Sequence, residues 1–292
     1  MTGIDLHTHL APELPGFDVP RALYEPLRLE RYLDTAGLDE AVVMVPPPFF
    51  QQHLPDAAEW VRRLNDGLCA TVEAYPRLLP LGYLPLEDPS LAVAEYSRLR
   101  LSPVVGVCGS AGGRSVSLAD PRFDPLWSLL DRDGRMILLH PGASPDARLN
   151  AFYLSNLLGN PTETALAAAQ LVFGDVLARY PGIRVLVVHC GETVSSMIGR
   201  WQLGYDTSRP GIKPLTEPPS VAIRRVYVDC LAHDPMQVDH AMAVFGPDKI
   251  VLGSDWPFAM GTDDPYGQVK HLLAADRIRT TNGRQCLKGI SL

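Results

Sequence analysis

Two histidines close a short apolar run near the start of the chain, where His7 and His9 are separated by a single threonine. On an extended strand, side chains two residues apart point to the same side, so both imidazoles can contact one metal ion. A lone His-x-His pair also occurs by chance in many soluble proteins. The pair therefore indicates a metal site only if further ligands lie beside it.

Residues of the same kind close three later apolar runs, namely His140, His189 and Asp255. If these runs are strands of one parallel barrel, their carboxyl ends meet at a single mouth, where barrel enzymes have their active sites. The two N-terminal histidines, His140 and Asp255 then offer three nitrogens and one oxygen, which suits zinc or another first-row divalent ion. His189 remains as an acid or base beside the metal, a role typical of histidine.

The alternative interpretation is a set of separate, hydrogen-bonded core histidines and an aspartate that caps a helix. Any one residue fits that interpretation, but four of the eight predicted strand ends carry His or Asp after an apolar run. This recurrence favours a shared site. His53, His240 and His271 lie in helical or loop contexts without such a pattern, and we expect them at the surface.

Eight short apolar runs are the elements that must position these side chains. They are rich in β-branched residues, bounded by Gly, Pro or Asp, and mostly lack polar alternation. Runs of this kind are typical of strands buried on both faces, as in parallel sheets. The predicted strands are Ile4–His9, Glu40–Val45, Leu78–Leu84, Val104–Cys108, Met136–His140, Arg184–His189, Arg225–Cys230 and Lys249–Ser254.

Helical patterns separate the predicted strands, and the clearest cover Asp56–Tyr75, Pro89–Leu99 and Thr162–Tyr180. The last is preceded by Asn160 as a predicted N-cap and a proline at the first helical position, with Glu163 reaching back to the cap. Strands and helices that alternate in this way predict a single (β/α)₈ TIM barrel. A doubly wound open sheet is the alternative, although neither glycine-rich nucleotide motif is present to support it.

Length and composition set the class of protein. The chain has 292 residues, with 46% hydrophobic and 20% charged residues, which suffices for a large core. We expect residues 1–292 to form one domain. The net charge is −7 and the sequence has no basic run longer than a dipeptide, which argues against non-specific binding of nucleic acids.

The sequence also argues against a membrane protein and against a protein stabilised by disulfide bonds. No stretch approaches the roughly 20 apolar residues of a membrane-spanning helix. The first 15 residues lack the basic-then-apolar order of a signal peptide, so we expect a cytoplasmic protein. The five cysteines include no C-x-x-C pair, and most are expected to be buried thiols.

Taken together, the strand-end motifs resemble the amidohydrolase superfamily, and within it the branch that includes aminocarboxymuconate-semialdehyde decarboxylase. The match runs from residue 4 to about residue 260. The motifs that carry it are Ile4-Asp5-Leu6-His7-Thr8-His9, His140-Pro141-Gly142, Val188-His189-Cys190-Gly191 and Leu252-Gly253-Ser254-Asp255-Trp256-Pro257. The resemblance implies a TIM barrel of the metal-dependent hydrolase type, and an enzyme that decarboxylates an aromatic or unsaturated carboxylic acid without oxidation.

The resemblance also implies roles for individual residues. Four positions match the ligands of a single divalent ion, zinc or alternatively manganese: His7, His9, His140 and Asp255. His189 matches the histidine that acts on metal-bound water, and we expect it to be catalytic together with Asp255. Arg200 matches an arginine that binds a substrate carboxylate, in those relatives across the interface of a homodimer.

Departures from the branch leave other functions open. The sixth-strand histidine is usually followed by Gly-Gly, whereas this chain has Cys190-Gly191-Glu192. A second substrate arginine has no secure match, and Arg21 and Arg28 are only candidates. A hydrolase or hydratase acting on a lactone, amide or unsaturated diacid is the alternative on the same scaffold. A non-enzymatic metal-binding or scaffolding barrel is the third hypothesis.

Five residues near the motifs have two interpretations each. Glu163 is interpreted as a helix-capping residue rather than a contact of the metal ligands. Cys190 is interpreted as a buried structural thiol rather than a ligand. His233 is expected in an exposed loop, with substrate contact as the alternative. Trp256 and Phe258 are expected either to cover the metal or to pack around the mouth.

Overall fold

The computed structural model describes residues 3–14, 16–17, 19–50, 55–113 and 115–287. The predicted surface residue His53 lies outside these ranges, whereas His240 and His271 are exposed as expected. No helix among the described residues has the length and apolar character needed to cross a bilayer. The assignment of residues 1–292 to one domain stays a prediction.

Eight parallel strands form one sheet whose spatial order equals the order along the chain. The first and last strands meet through backbone hydrogen bonds, since the Leu6 N–H donates to the Leu252 carbonyl oxygen at 2.9 Å. The predicted barrel is therefore confirmed, and the open sheet is wrong. The strands are β1 (Gly3–His9), β2 (Leu38–Met44), β3 (Leu78–Leu84), β4 (Gly106–Ala111), β5 (Met136–Pro141), β6 (Arg184–Val187), β7 (Tyr227–Asp229) and β8 (Ile250–Val251).

Helices surround the barrel and cover the outer faces of its strands. This two-sided cover explains why the strands are apolar without alternation: every residue of β1, β4 and β5 is buried. The helices are α1 (Pro26–Ala36), α2 (Ala57–Val72), α3 (Pro89–Leu99), α4 (Asp124–Asp133), α5 (Asn160–Phe173), α6 (Val176–Arg179), α7 (Glu192–Asp206), α8 (Pro219–Ala222), α9 (Pro235–Phe245), α10 (Ala275–Arg277) and α11 (Gly283–Leu287).

The predicted helix over 162–180 differs from the structure at both ends. It is interrupted after Phe173, because Asp175 adopts a left-handed φ of 57° before α6 begins. At the other end Asn160 is not an N-cap, since a π-helical turn over Ser155–Gly159 runs directly into α5. The Glu163 carboxylate accepts a hydrogen bond from the Gly113 N–H at 2.7 Å, so its predicted capping role is wrong.

The last three strands are shorter than predicted, and the difference concerns the site. The sequence predicts that β6 extends to His189, but the strand ends at Val187 and a tight turn follows. In this turn His189, Cys190 and Gly191 have φ values of 55°, 56° and 56°, in the left-handed region. Three successive left-handed residues cannot continue a strand. His189 therefore reaches the mouth from a turn rather than from the sheet.

Candidate metal centre and active site

The His-x-His pair at the end of β1 faces the interior of the barrel mouth, as its spacing predicts. The Nε2 atoms of His7 and His9 lie 3.2 Å apart. Asp255, which follows β8, places its Oδ1 atom 2.9 Å from the Nε2 of His9 and 3.3 Å from that of His7. Strands β1 and β8 are neighbours in the closed barrel, so closure brings together residues about 250 positions apart.

His140 and His189 complete the cluster from β5 and from the turn after β6. The ring centroid of His140 lies 5.3 Å from that of His7, 5.2 Å from that of His9 and 5.5 Å from that of His189. The Nε2 of His189 lies 3.8 Å from Asp255 Oδ2. One potential ligand atom from each of His7, His140, His189 and Asp255 lies within 4.8 Å of the others. The structure thus gathers all five predicted residues.

Hydrogen bonds orient two of the imidazoles for metal binding. His7 Nδ1 lies 2.8 Å from Asp229 Oδ2, and His140 Nδ1 lies 3.1 Å from the Pro141 carbonyl oxygen. Because both partners only accept, Nδ1–H donates in each case, and in the neutral imidazole Nε2 carries the lone pair. The Nε2 of His140 is buried and has no hydrogen-bond partner among the described residues. These donor atoms fit a divalent cation, which would supply the missing partner.

The charges of the cluster also fit a cation. Burial lowers the pKa of His9 and, more strongly, that of His140, which favours the neutral form that binds metal. Burial raises the pKa of Asp255, but its contacts with the histidines outweigh this and hold the pKa well below the usual value. Burial likewise lowers the pKa of His7, yet Asp255 and Asp229 raise it to about 10. The carboxylates therefore attract positive charge to this point.

Two buried aspartates beneath the cluster were not assigned a role from the sequence. Asp229, the last residue of β7, accepts hydrogen bonds from His7 and from three backbone N–H groups. Asp5 accepts from the backbone N–H of His7 and from the Tyr32 hydroxyl. The available signal was the strand-end position of Asp229, since it closes an apolar run as His140 does.

A cavity of about 770 Å³ opens above the cluster, and His140, His189 and Asp255 lie at its inner end. Its wall is mainly apolar, with a few polar side chains that include Asn156 and Asn160. None of the described residues that line it is an arginine or a lysine. The cavity has the size and the mixed lining of a site for a small organic molecule.

The residues around the mouth separate into cavity-lining and structural groups. Phe258 lines the cavity and packs its ring edge-on against His9, with centroids 5.0 Å apart. Trp256 is buried and stacks on Tyr32 instead. His233 is exposed, as expected, and it also lines the cavity. Cys190 is fully buried, which confirms its interpretation as an internal thiol.

Glu192, part of the departure from the branch, and the predicted substrate contact Arg200 occupy different parts of α7. Glu192 begins the helix and lines the cavity, and burial raises the pKa of its carboxyl group. Arg200 lies eight residues later, is exposed, and does not line the cavity of its own chain. Eight residues correspond to about 12 Å along a helix, which separates Arg200 from the end of α7 that lines the cavity.

Comparison with known proteins identifies the family. Residues 4–279 match the amidohydrolase family. The chain is 30% identical over 213 residues to 2-amino-3-carboxymuconate-6-semialdehyde decarboxylase of Dictyostelium discoideum, covering 70% of this chain. The alignment spans only 58% of that relative's length.

Solved structures share the fold at low identity. The crystal structure of 5-carboxyvanillate decarboxylase from Sphingomonas paucimobilis superposes with a TM-score of 0.86 at 17% identity, covering 98% of both chains. A dihydroxybenzoic acid decarboxylase from Polaromonas, with bound manganese and the inhibitor 2-nitroresorcinol, has a TM-score of 0.84 at 20% identity, covering 98% of this chain and 97% of that one. The resemblance found in the strand-end motifs is confirmed, and the chain belongs to the amidohydrolase family.

Proposed function

We propose that this protein is a divalent-metal-dependent decarboxylase that releases CO₂ from an aromatic or unsaturated carboxylic acid without oxidation. The observation that carries the proposal is the convergence of four histidines and Asp255 at the inner end of one cavity. Decarboxylation is favoured over other reactions of the family because the named relatives are decarboxylases of carboxylated aromatic or unsaturated compounds.

The proposed ligands of the ion are His7, His9, His140 and Asp255. Each offers a buried donor atom, and the hydrogen bonds of His7 and His140 leave Nε2 free to bind. Zinc and manganese both accept such a set of nitrogens and one oxygen. When bound, the divalent ion supplies a Lewis acid that polarises an oxygen atom at the inner end of the cavity.

His189 is proposed to transfer protons. Its side chain is 21% exposed and lines the cavity, whereas those of His7 and His9 are inaccessible, so it is the histidine of the cluster best placed to reach a substrate. Departure of CO₂ leaves an electron pair on the former carboxyl-bearing carbon. If His189 first protonates that carbon, the new C–H bond uses a π-electron pair of the substrate, and the pair released from the carbon–carbon bond restores the π system as CO₂ leaves. Asp255, 3.8 Å from His189, orients its imidazole.

Arg200 is proposed to bind a substrate carboxylate in the cavity of a second copy of the chain. It cannot line its own cavity from the outer part of α7, and the described lining contains no other guanidinium or ammonium group. Met197 and Leu203, one turn away on either side of Arg200, are 38% and 63% exposed. An arginine flanked by exposed apolar residues is typical of an interface. We therefore propose a homodimer.

The proposal is tested by metal content and CO₂ release. We expect about one divalent ion per chain by inductively coupled plasma mass spectrometry, and its loss in a His7→Ala/His9→Ala variant. The metal-loaded protein should release CO₂ from at least one member of a panel of hydroxybenzoic and unsaturated carboxylic acids. A protein that binds no ion, or that turns over lactones or amides but releases no CO₂, would contradict the proposal. His240→Ala, on the exposed face of α9, is the control.

A further inference from the structure

A single buried carboxylate connects three segments that meet at the site. Asp229 Oδ2 accepts from His7 Nδ1 at 2.8 Å and from the His189 backbone N–H at 3.0 Å. Its Oδ1 accepts from the backbone N–H groups of Cys190 at 2.8 Å and Leu231 at 3.1 Å. Each oxygen therefore accepts two hydrogen bonds, and the side chain is inaccessible to solvent.

Two of these bonds support a strained backbone. His189 and Cys190 both have left-handed φ values, which cost energy in residues other than glycine and persist only where surrounding contacts impose them. The Asp229 carboxylate accepts hydrogen bonds from the backbone N–H groups of these two residues. It thereby contributes to holding His189 in the turn that directs its side chain into the cavity.

The neighbouring strand is shaped to let this carboxylate approach β1. A Cβ atom at Gly253 would lie 2.6 Å from the Cβ of Asp229 and 3.0 Å from the Cβ of His7. The first distance is shorter than real Cβ atoms show, and the second is tighter than most Cβ contacts. The glycine after β8 is therefore required for the close packing of Asp229 against His7.

We propose that Asp229 is a positioning residue that sets the metal-binding tautomer of His7 and the placement of His189 at the same time. The inference rests on the proposed function for its consequences in catalysis. Because one carboxylate contacts both, the orientation of the metal ligand His7 and the position of the proton-transfer residue His189 are coupled.

The pattern of four donors makes Asp229→Asn a sharp test, because an amide has the shape of the carboxylate but only one accepting atom. In either orientation of the amide, its NH₂ group faces two N–H donors. If the NH₂ group faces His7, the imidazole must accept at Nδ1 and carry its proton on Nε2, which then cannot bind metal. If it faces Cys190 and Leu231, the Cys190 N–H of the left-handed turn loses its acceptor, and His7 keeps only a neutral partner, which makes its Nε2 a weaker ligand.

Two measurements on the full-length protein test the effect of Asp229 on metal binding and its effect on the His189 turn. In the first, Mn²⁺ and Zn²⁺ affinities are measured by competition with a chelator, and Asp229→Asn is expected to bind about 10–100-fold more weakly than the wild type. In the second, backbone hydrogen exchange is followed in metal-free protein. The N–H group that faces the NH₂, either that of His189 or that of Cys190, is expected to exchange roughly tenfold faster in the variant.

A matched control is Asn282→Ala, which removes another buried polar side chain. Asn282 donates to the carbonyl oxygens of Pro247 and Ile250, at the opposite end of β8 from the site. This variant should lower the melting temperature but leave metal affinity and exchange at the His189 turn unchanged. If Asp229→Asn does not fold, Gly253→Ala keeps the carboxylate and displaces it from His7. It should also weaken metal binding.

Wild-type metal affinity in Asp229→Asn, or wild-type exchange at the His189 turn, would overturn the inference. Equal effects in Asn282→Ala would also overturn it, because they would show a general loss of stability. A wild-type protein that binds neither ion would contradict the proposed function instead. The exchange rates of metal-free protein would then still decide whether Asp229 holds the turn.

Discussion

The unpartnered Nε2 of His140 predicts that this residue reduces the stability of the metal-free protein and increases that of the metal-bound protein. His140 is 4% exposed, and among the described residues its Nε2 has no hydrogen-bond partner. We propose replacing it by a leucine of similar size. His140→Leu removes both the unsatisfied nitrogen and the potential ligand.

The magnitude follows from two opposing contributions. A buried polar atom without a partner costs about 1–3 kcal/mol, whereas the lost Nδ1 bond to the Pro141 carbonyl oxygen contributed about 1 kcal/mol. His140→Leu should therefore stabilise the metal-free protein by about 1 kcal/mol, or about 2 °C in melting temperature for a chain of this size. An ion present at 100 times its dissociation constant should stabilise the wild type by about 2.7 kcal/mol, and the variant hardly at all.

Thermal unfolding with and without Mn²⁺ or Zn²⁺ measures both effects. The order of stability should invert, with the variant more stable without the ion and the wild type more stable with it. The same substitution at exposed His240 should change neither value by more than about 0.5 kcal/mol. An ion-induced stabilisation of His140→Leu equal to that of the wild type would refute the assignment of His140 as a ligand. A less stable metal-free variant would refute the cost assigned to its Nε2.

Three further predictions concern other parts of the site. His189→Asn should keep about one ion per chain but lose at least about 100-fold in turnover, measured as CO₂ release, and loss of the ion would show that His189 is a ligand. Mixing two inactive variants, Arg200→Ala and His189→Asn, should restore about a quarter of wild-type activity, because half of the randomly reassorted dimers contain one complete site. No recovery would exclude a shared site. Burial lowers the pKa of His7, but Asp255 and Asp229 outweigh it and raise the pKa from 6.5 to about 10. The protonated form therefore stabilises the metal-free fold below pH 6.5, and this contribution should be lost as the pH rises towards 10. Zinc should weaken this dependence in denaturation curves, since the ion replaces the proton, and an identical dependence with zinc would contradict that replacement.

Much of the site was predictable because it depends on local properties. Side-chain direction alternates along a strand, so the spacing of His7 and His9 alone places both imidazoles on one side. The apolar runs are buried on both faces, and their alternation with helices predicts the barrel and hence the convergence of strand ends. The structure confirms the barrel and gathers the five predicted residues at its mouth.

The hydrogen-bond partner of Glu163, in contrast, was not predictable from the local sequence. The Asn-Pro-x-Glu pattern is a valid local signal for a helix start, but the chain is already helical through the preceding π-turn. The carboxylate instead accepts a hydrogen bond from the N–H of Gly113, which lies 50 residues earlier, in the loop after β4. Contacts between distant loops therefore replaced the local hydrogen bond.

The family, the barrel and the types of residue at its mouth were predictable from the chain alone, because they follow from the strand-end motifs and from the alternation of apolar runs with helices. The contact of Asp229 with His7, 222 residues away, and with the His189 turn, 40 residues away, is visible only in the folded chain. The same is true of Arg200, which is exposed and does not line the cavity of its own chain. The physical reason is that these arrangements depend on the closure and register of the barrel, which bring distant backbone and side-chain groups together. No local pattern specifies which donor meets which acceptor there.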